Sequence, residues 1–317
     1  MPKDHGLERE ASDLADATIL VTGGAGFVGS HLVDALAPVA DVRVLDDCST
    51  GRAANVDEDA VLLEGDVTDP AQLSAAVADV DVVFHLAALS AVPDTMAEPT
   101  RCLQVNASAT GAILEHARRV DARVVFASSA AVYGRPDETP ISEDDSLTPR
   151  NPYGVAKLAS DQYVRRYEQW FDVPAVALRF FNVYGPRQLP DRGVIPTFLS
   201  NARAGEPLVV EGDGEQTRDF VHVSDVVRAL LAAATTDATG EAFNVGTGEA
   251  TSIAELAELI RDLSDDSVPV HHDDPRPADI EHSVADVSKA RDRLGFDADV
   301  SLAAGLESLL ARQVEPT

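Results

Sequence analysis

Two side chains four residues apart, Tyr153 and Lys157 in the stretch Asn151-Pro152-Tyr153-Gly154-Val155-Ala156-Lys157, have a type and spacing suited to proton chemistry. A phenol with an ordinary pKa of about 10 is a poor base at neutrality. An ammonium group a few ångströms away favours the phenolate and lowers that value, and such a pair can take a proton from an alcohol. Asn151 suits an N-cap and Pro152 the first helical position, so the stretch predicts a helix running through Leu158, Tyr163 and Tyr167. On that helix Tyr153 and Lys157 share one face. The same spacing is common on solvent-exposed helices, so its meaning depends on the elements around it.

The first of these is Thr18-Ile19-Leu20-Val21, a β-branched run that leads through Thr22-Gly23-Gly24-Ala25-Gly26-Phe27-Val28-Gly29 into an apolar-periodic segment. Strand, glycine turn and helix in this order form a phosphate-binding fingerprint. Gly23 permits the tight turn, Gly26 lets a pyrophosphate approach the backbone, and Gly29 lets the helix pack on the strand. Phe27 and Val28 belong to the same cofactor site. Residues 42–45 form a second strand ending in Asp46-Asp47. A carboxylate there accepts from ribose hydroxyls and repels a 2′-phosphate, which favours NAD; the nearby Arg43 and Arg52 leave NADP as the alternative.

Further strands are expected at 61–63, 82–88 and 124–127. Their carboxyl ends carry Asp66 and Val67 toward adenine, the small Leu86-Ala87-Ala88 segment beside the cofactor backbone, and Ser128-Ser129. His85 is read as a packed structural histidine. A helix over 99–119 carries Asn106, which with Ser128 is assigned to the cofactor. In an open parallel sheet ligands sit at the carboxyl ends of the strands, so Ser129 is placed to donate to a substrate oxygen opposite Tyr153.

The chain is 317 residues long, enough for a doubly wound α/β domain with a smaller lobe. Alternation of strands and helices is regular to about residue 182 and then gives way to Pro- and Gly-punctuated segments. We divide it into a main domain of 17–182 plus 224–247 and a discontinuous lobe of 183–223 plus 248–317, with 1–16 as a flexible, polar tail that is no signal peptide. The formal charge is −29, from 54 acidic against 25 basic residues, and Lys3, Lys157 and Lys289 are the only lysines. Such an excess repels nucleic acid and anionic membranes and resembles adaptation to high salt. Cys48 and Cys102 are too few for a disulfide framework or a zinc cluster, and no metal site is expected. No apolar run approaches the ~20 residues that span a bilayer, and a cytoplasmic location is expected.

The motifs T-G-G-A-G-F-V-G-S-H, H-L-A-A, A-S-S-A-A-V-Y-G, N-P-Y-G-V-A-K, L-R-F-F-N-V-Y-G-P-R, T-R-D-F-V-H-V-S-D and F-N-V-G-T-G, in this order over about residues 17–300, resemble the extended short-chain dehydrogenase/reductases, specifically the nucleotide-sugar 4-epimerases. The resemblance implies a Rossmann-type fold and a tightly held NAD. It further implies that Tyr153 takes the C4 hydroxyl proton of a UDP-hexose, that Lys157 contacts the nicotinamide ribose, and that Ser129 holds the C4 oxygen. Asn182, Arg187, Arg218, Arg276, Asp279 and Ser283 are implied as nucleotide-sugar contacts, and a homodimer through helices near 99–119 and 152–170 is implied as well.

Related 4,6-dehydratases follow the active-site hydroxyl residue with Asp-Glu, and decarboxylases carry a glutamate nearby. Ala130, Ala131 and Val132 stand here instead, which favours simple epimerisation of UDP-glucose and UDP-galactose. A dehydratase or reductase is the nearest alternative. A catalytically silent NAD-sensing regulator of this fold would lack Tyr153 or Lys157, and both are present. Ser283 falls where glucose-restricted relatives often carry tyrosine, so a 2-acetamido sugar is expected to fit. Glu211 falls where an aromatic ring often covers uracil.

Overall fold

The computed structural model describes residues 7, 10–264, 268–275 and 280–311. Six strands, β1 (Thr18–Thr22), β2 (Asp41–Asp46), β3 (Val61–Glu64), β4 (Val82–His85), β5 (Arg123–Ser129) and β6 (Ala175–Phe180), join Glu241–Val245 in one sheet. Its order is Glu241–Val245, β6, β5, β4, β1, β2, β3, and every pairing is parallel. The direction of winding reverses between β1 and β4. A ligand crevice therefore opens at their carboxyl ends.

Alternation along each strand explains the layering. Ile19, Val21, Val42, Val44, Phe84 and Val125 point into a core shared with Leu32, Val33 and Leu36 of the helix Phe27–Leu36 and with Val226 and Leu230 of the helix Val223–Thr235. Leu20, Leu45, Val83, Val124 and Phe126 point the other way, against Leu73, Ile113, Leu114 and Val164 from the helices Pro70–Ala76, Ala109–Val120 and Pro152–Phe171. Strands buried on both faces read as near-continuous apolar runs, as these do.

A third cluster gathers Tyr184, Phe198, Leu208, Val210, Phe220, Leu256, Ile260 and Leu306 around the helices Val194–Ala204, Ile253–Leu263 and Leu302–Ala311. Ser252 and Glu255 close a capping box on the second of these helices.

Two local expectations change. Residues 10–16 are part of the main domain and not of a flexible tail: Ala11 and Leu14 are buried in the first core, and Glu10 pairs with Arg228 at 3.0 Å. Two apolar side chains among acidic neighbours are enough to anchor a short turn. The helix expected over 99–119 is α-helical at Pro99–Leu103 and Ala109–Val120, with a π-helical turn at Gln104–Ser108 between them.

Candidate active site

The glycine turn is shaped by contacts that leave no room for a Cβ. Gly23 has φ +73°, and a Cβ there would lie 2.6 Å from the Ala87 amide nitrogen; one on Gly29 would lie 2.2 Å from the Gly23 carbonyl oxygen. At Gly26, the N-cap of the Phe27–Leu36 helix, a Cβ would lie 3.2 Å from the Gly23 carbonyl oxygen, which is tight but less so than at the other two positions. The first-turn amides, Phe27 and Val28 among them, are those that an α-helix leaves without internal partners. A diphosphate fits this cradle by charge and by shape.

Asp46, at the end of β2, is buried and accepts from the Ala25 amide at 2.9 Å through one oxygen and from the Cys48 amide at 2.8 Å through the other. Burial, partly offset by these two bonds, raises its pKa. Each oxygen keeps a second lone pair for a ribose hydroxyl. Arg43 reaches the Ala78 carbonyl in the segment leading into β4, away from the carboxyl end of β2 where a 2′-phosphate would lie. Leu86 and Ala87, followed by Ala88, run beside Gly23 of the turn, with Leu86 and Ala87 donating to the Thr22 carbonyl (3.0 Å) and hydroxyl (3.3 Å).

Four residues assigned to the cofactor have other partners as well. Asp66 is ion-paired with Arg101 at 2.7 Å and accepts from Thr68, so adenine would have to share its carboxylate. Val67 is buried in the second core. The Ser128 hydroxyl is buried and donates to Asp161 at 2.9 Å. Asn106 acts through the backbone: its amide group pairs with both the N–H and the carbonyl of Leu89 at 2.8 Å, which fixes the loop after β4.

Asn151 caps the helix Pro152–Phe171 by accepting from the Gly154 amide at 2.8 Å, with Pro152 in the first turn. Tyr153 is partly buried, and its phenol interacts with the hydroxyl of Ser129, which ends β5 and also accepts from the Ala131 amide at 3.2 Å. Lys157 is 2 % exposed; its Nζ donates to the Ala127 carbonyl at 2.7 Å and lies 5.9 Å from the centre of the Tyr153 ring.

The electrostatics differ from the expected lowering of the phenol by the ammonium. Burial pushes Tyr153 above its ordinary value, opposed by the Ser129 bond. Burial also brings Lys157 down to about 7. At this depth the cost of desolvating either charge exceeds the gain from their mutual attraction. His85 is the packed histidine the sequence predicts: its ring nitrogens lie 2.8 Å and 3.0 Å from the Thr22 and Thr110 hydroxyls, and burial, reinforced by Lys157, lowers it to about 3.

On the substrate side Asn182 is exposed just beyond β6. Arg218 and Ser283 are partners across neighbouring short strands, and the Arg218 guanidinium donates to the Thr217 carbonyl at 2.8 Å. Arg187, with φ +64°, is paired with Asp34 of the Phe27–Leu36 helix at 2.8 Å, so a substrate would have to share its guanidinium. Arg276 and Asp279 lie outside the described residues. Glu211 ends the strand Leu208–Glu211, where its carbonyl accepts from Gln216.

The sequence reading overlooked two buried carboxylates. Asp161 lies on the Tyr153–Lys157 stripe, and its spacing of four from Lys157 was the available signal. Asp219 accepts four donors, from Thr247 twice and from the Gly248 and Ala285 amides, and ties Arg218 and Ser283 to the loop at 246–248. Its position beside Arg218 gave no sign of this.

The sequence profile of the NAD dependent epimerase/dehydratase family matches residues 19–246. The chain belongs to that family. Within it, the chain is 38 % identical over 302 residues to a UDP-glucose 4-epimerase of Mycolicibacterium smegmatis, covering 90 % of this chain and 95 % of that one. It is 35 % identical over 306 residues to UDP-glucuronic acid decarboxylase 1 of Arabidopsis thaliana, covering 92 % and 69 %. A solved UDP-N-acetylglucosamine 4-epimerase from Methanobrevibacter ruminantium, in complex with UDP-N-acetylmuramic acid, superimposes with a TM-score of 0.89 at 37 % identity, covering 93 % of this chain and 97 % of that one.

As a family member the protein is an NAD-dependent enzyme of the epimerase/dehydratase kind, with the extended short-chain dehydrogenase/reductase fold. The glycine cradle and Asp46 are the residues that would hold NAD. Among the described residues no helix is long and apolar enough to cross a membrane.

Proposed function

We propose that the protein is a UDP-hexose 4-epimerase that interconverts UDP-glucose and UDP-galactose through a 4-keto intermediate. The observation carrying this reading is the placement of the Ser129 hydroxyl, at the carboxyl end of β5, where it interacts with the Tyr153 phenol, with no carboxyl group on residues 130–132 behind it. Two hydroxyls suffice to hold and deprotonate one alcohol, whereas elimination of water needs a further acid and base. Tyr153 takes the C4 hydroxyl proton and later returns it. Ser129 donates to the same oxygen. Lys157, near 7, gains or loses its charge close to neutrality and in its protonated form supports the phenolate. NAD, when bound, supplies the acceptor and the donor of the C4 hydride. Asn182 and Arg218 are the described groups offered to the nucleotide, with Arg218 suited to a diphosphate.

The M. smegmatis relative supports UDP-glucose as substrate. Ser283, small and adjacent to Arg218, supports acceptance of the 2-acetamido sugars as well, as does the M. ruminantium neighbour. The test is to incubate the protein with UDP-glucose, UDP-GlcNAc and dTDP-glucose and to separate the products. Epimers are expected from the UDP-sugars, and a 4-keto-6-deoxy product would refute the reading. Tyr153→Phe should abolish turnover while NAD stays bound; retained turnover would remove Tyr153 from its role.

We further propose a homodimer. Most of the exposed large apolar side chains, including Met96, Leu103, Val155, Tyr163, Trp170 and Phe171, lie on the helices between 92 and 120 and on Pro152–Phe171. A patch of this kind marks an interface.

A further inference from the structure

Asp161 stands one turn beyond Lys157 and two beyond Tyr153 on the catalytic helix, and it is fully buried. Four donors converge on it: Arg179 Nε at 2.9 Å, Arg179 Nη2 at 3.1 Å, Arg165 Nε at 2.9 Å and the Ser128 hydroxyl at 2.9 Å. Arg179, on β6, is itself sealed, and its Nη1 donates to the Tyr133 hydroxyl at 2.8 Å and the Glu143 carbonyl at 3.1 Å. Burial alone would lift the Asp161 carboxyl; the bonds and charge of Arg179, with Arg165 and Ser128, outweigh it and keep the group below its ordinary value. The carboxylate is therefore a fixed, charged anchor.

What it anchors is the pair of strands on which the active site is built. Ser128 and Arg179 are ladder partners between β5 and β6, and Ser129 follows directly, opposite Phe180. A single side chain of the catalytic helix thus grips both strands one residue before the hydroxyl that meets Tyr153.

We propose that Asp161 is a positioning residue for catalysis, setting the helix against β5 through Ser128 so that the Ser129 and Tyr153 hydroxyls converge on one substrate oxygen. This rests on the reading of Tyr153 as the base. A plain structural ion pair would hold the fold without coupling to Ser129. The titratable groups facing Tyr153 are Cys102, from Pro99–Leu103, and Lys157. Those facing Asp161 are Arg165 and Arg179, with Tyr133 and Glu143 behind Arg179.

The test uses the full-length enzyme with NAD and its nucleotide-sugar substrate. Ser128→Ala removes only the hydroxyl link and should lower kcat by about tenfold or more, with KM changed less than about twofold. It should also move the acid limb of the kcat profile to higher pH, because a misplaced Ser129 no longer holds the phenol down. In a double-mutant cycle Ser128→Ala should add almost nothing to Ser129→Ala. Asp161→Asn should be slower still, with partial recovery in Asp161→Glu. If Asp161→Asn fails to fold, Ser128→Ala decides alone. Full multiplicativity of the two serine variants, or a lowered Tm with wild-type kcat and pH profile, would overturn the proposal. Tyr153→Phe judges the base separately, so the two failures are distinguishable.

Discussion

Lys157 carries a cost that can be measured. Its ammonium falls from 10.5 to about 7 because burial removes water from it, and at 1.36 kcal/mol per pH unit this weighs about 5 kcal/mol against the folded state. The sign follows from linkage: a group whose folded pKa is depressed contributes stability above its unfolded value of 10.5, and this is lost as the pH falls toward about 7. Lys157→Met keeps the volume and removes the charge. It leaves the Ala127 carbonyl without its 2.7 Å donor, a pH-independent loss of roughly 1–3 kcal/mol.

The inactive variant should therefore be more stable than the wild type by about 2–4 kcal/mol near pH 6. That advantage should shrink steadily between about pH 7 and 10.5 and reverse at the alkaline end. Denaturant unfolding of both proteins across this range, at fixed KCl, gives the difference directly, since the other titrating groups cancel. A difference that stays flat with pH would refute the argument.

Three other outcomes follow from the same geometry. Gly29→Ala puts a Cβ 2.2 Å from the Gly23 carbonyl oxygen; it should cost roughly 1–3 kcal/mol and weaken NAD binding in calorimetry, and wild-type binding with unchanged stability would count against the cradle. The −29 charge predicts that the Tm rises as KCl goes from about 0.1 M to about 2 M, where the Debye length falls from about 10 Å to below 3 Å; a flat Tm contradicts it. Trp170→Glu, at a site 56 % exposed in the apolar patch, should shift the particle to monomer in light scattering, and an unchanged mass would move the interface elsewhere.

Much of the site was legible because local rules placed it. Asn151 and Pro152 began the helix that carries Tyr153 and Lys157 where an N-cap and a first-turn proline must, and the spacing of Gly23, Gly26 and Gly29 described a turn with no room for side chains at its first and last positions. What the sequence did not show has one cause, a partner from distant sequence. Asp66 meets Arg101, Ser128 meets Asp161 and Arg187 meets Asp34. A residue type at a strand end tells what it can offer, and only the assembled fold tells what has already accepted it. The direction of the Tyr153 shift was missed for a similar reason, since spacing reveals the neighbouring cation but not the depth at which both groups lie.

The bond from Ala25 to Asp46 has a bearing on redesign. One carboxylate both stands where the ribose end of a dinucleotide would lie and tethers the loop that would cradle its phosphates. Trading it for a smaller residue to admit NADP would untie that loop at the same stroke, so a switch of coenzyme would have to begin by supplying Ala25 and Cys48 with a replacement acceptor.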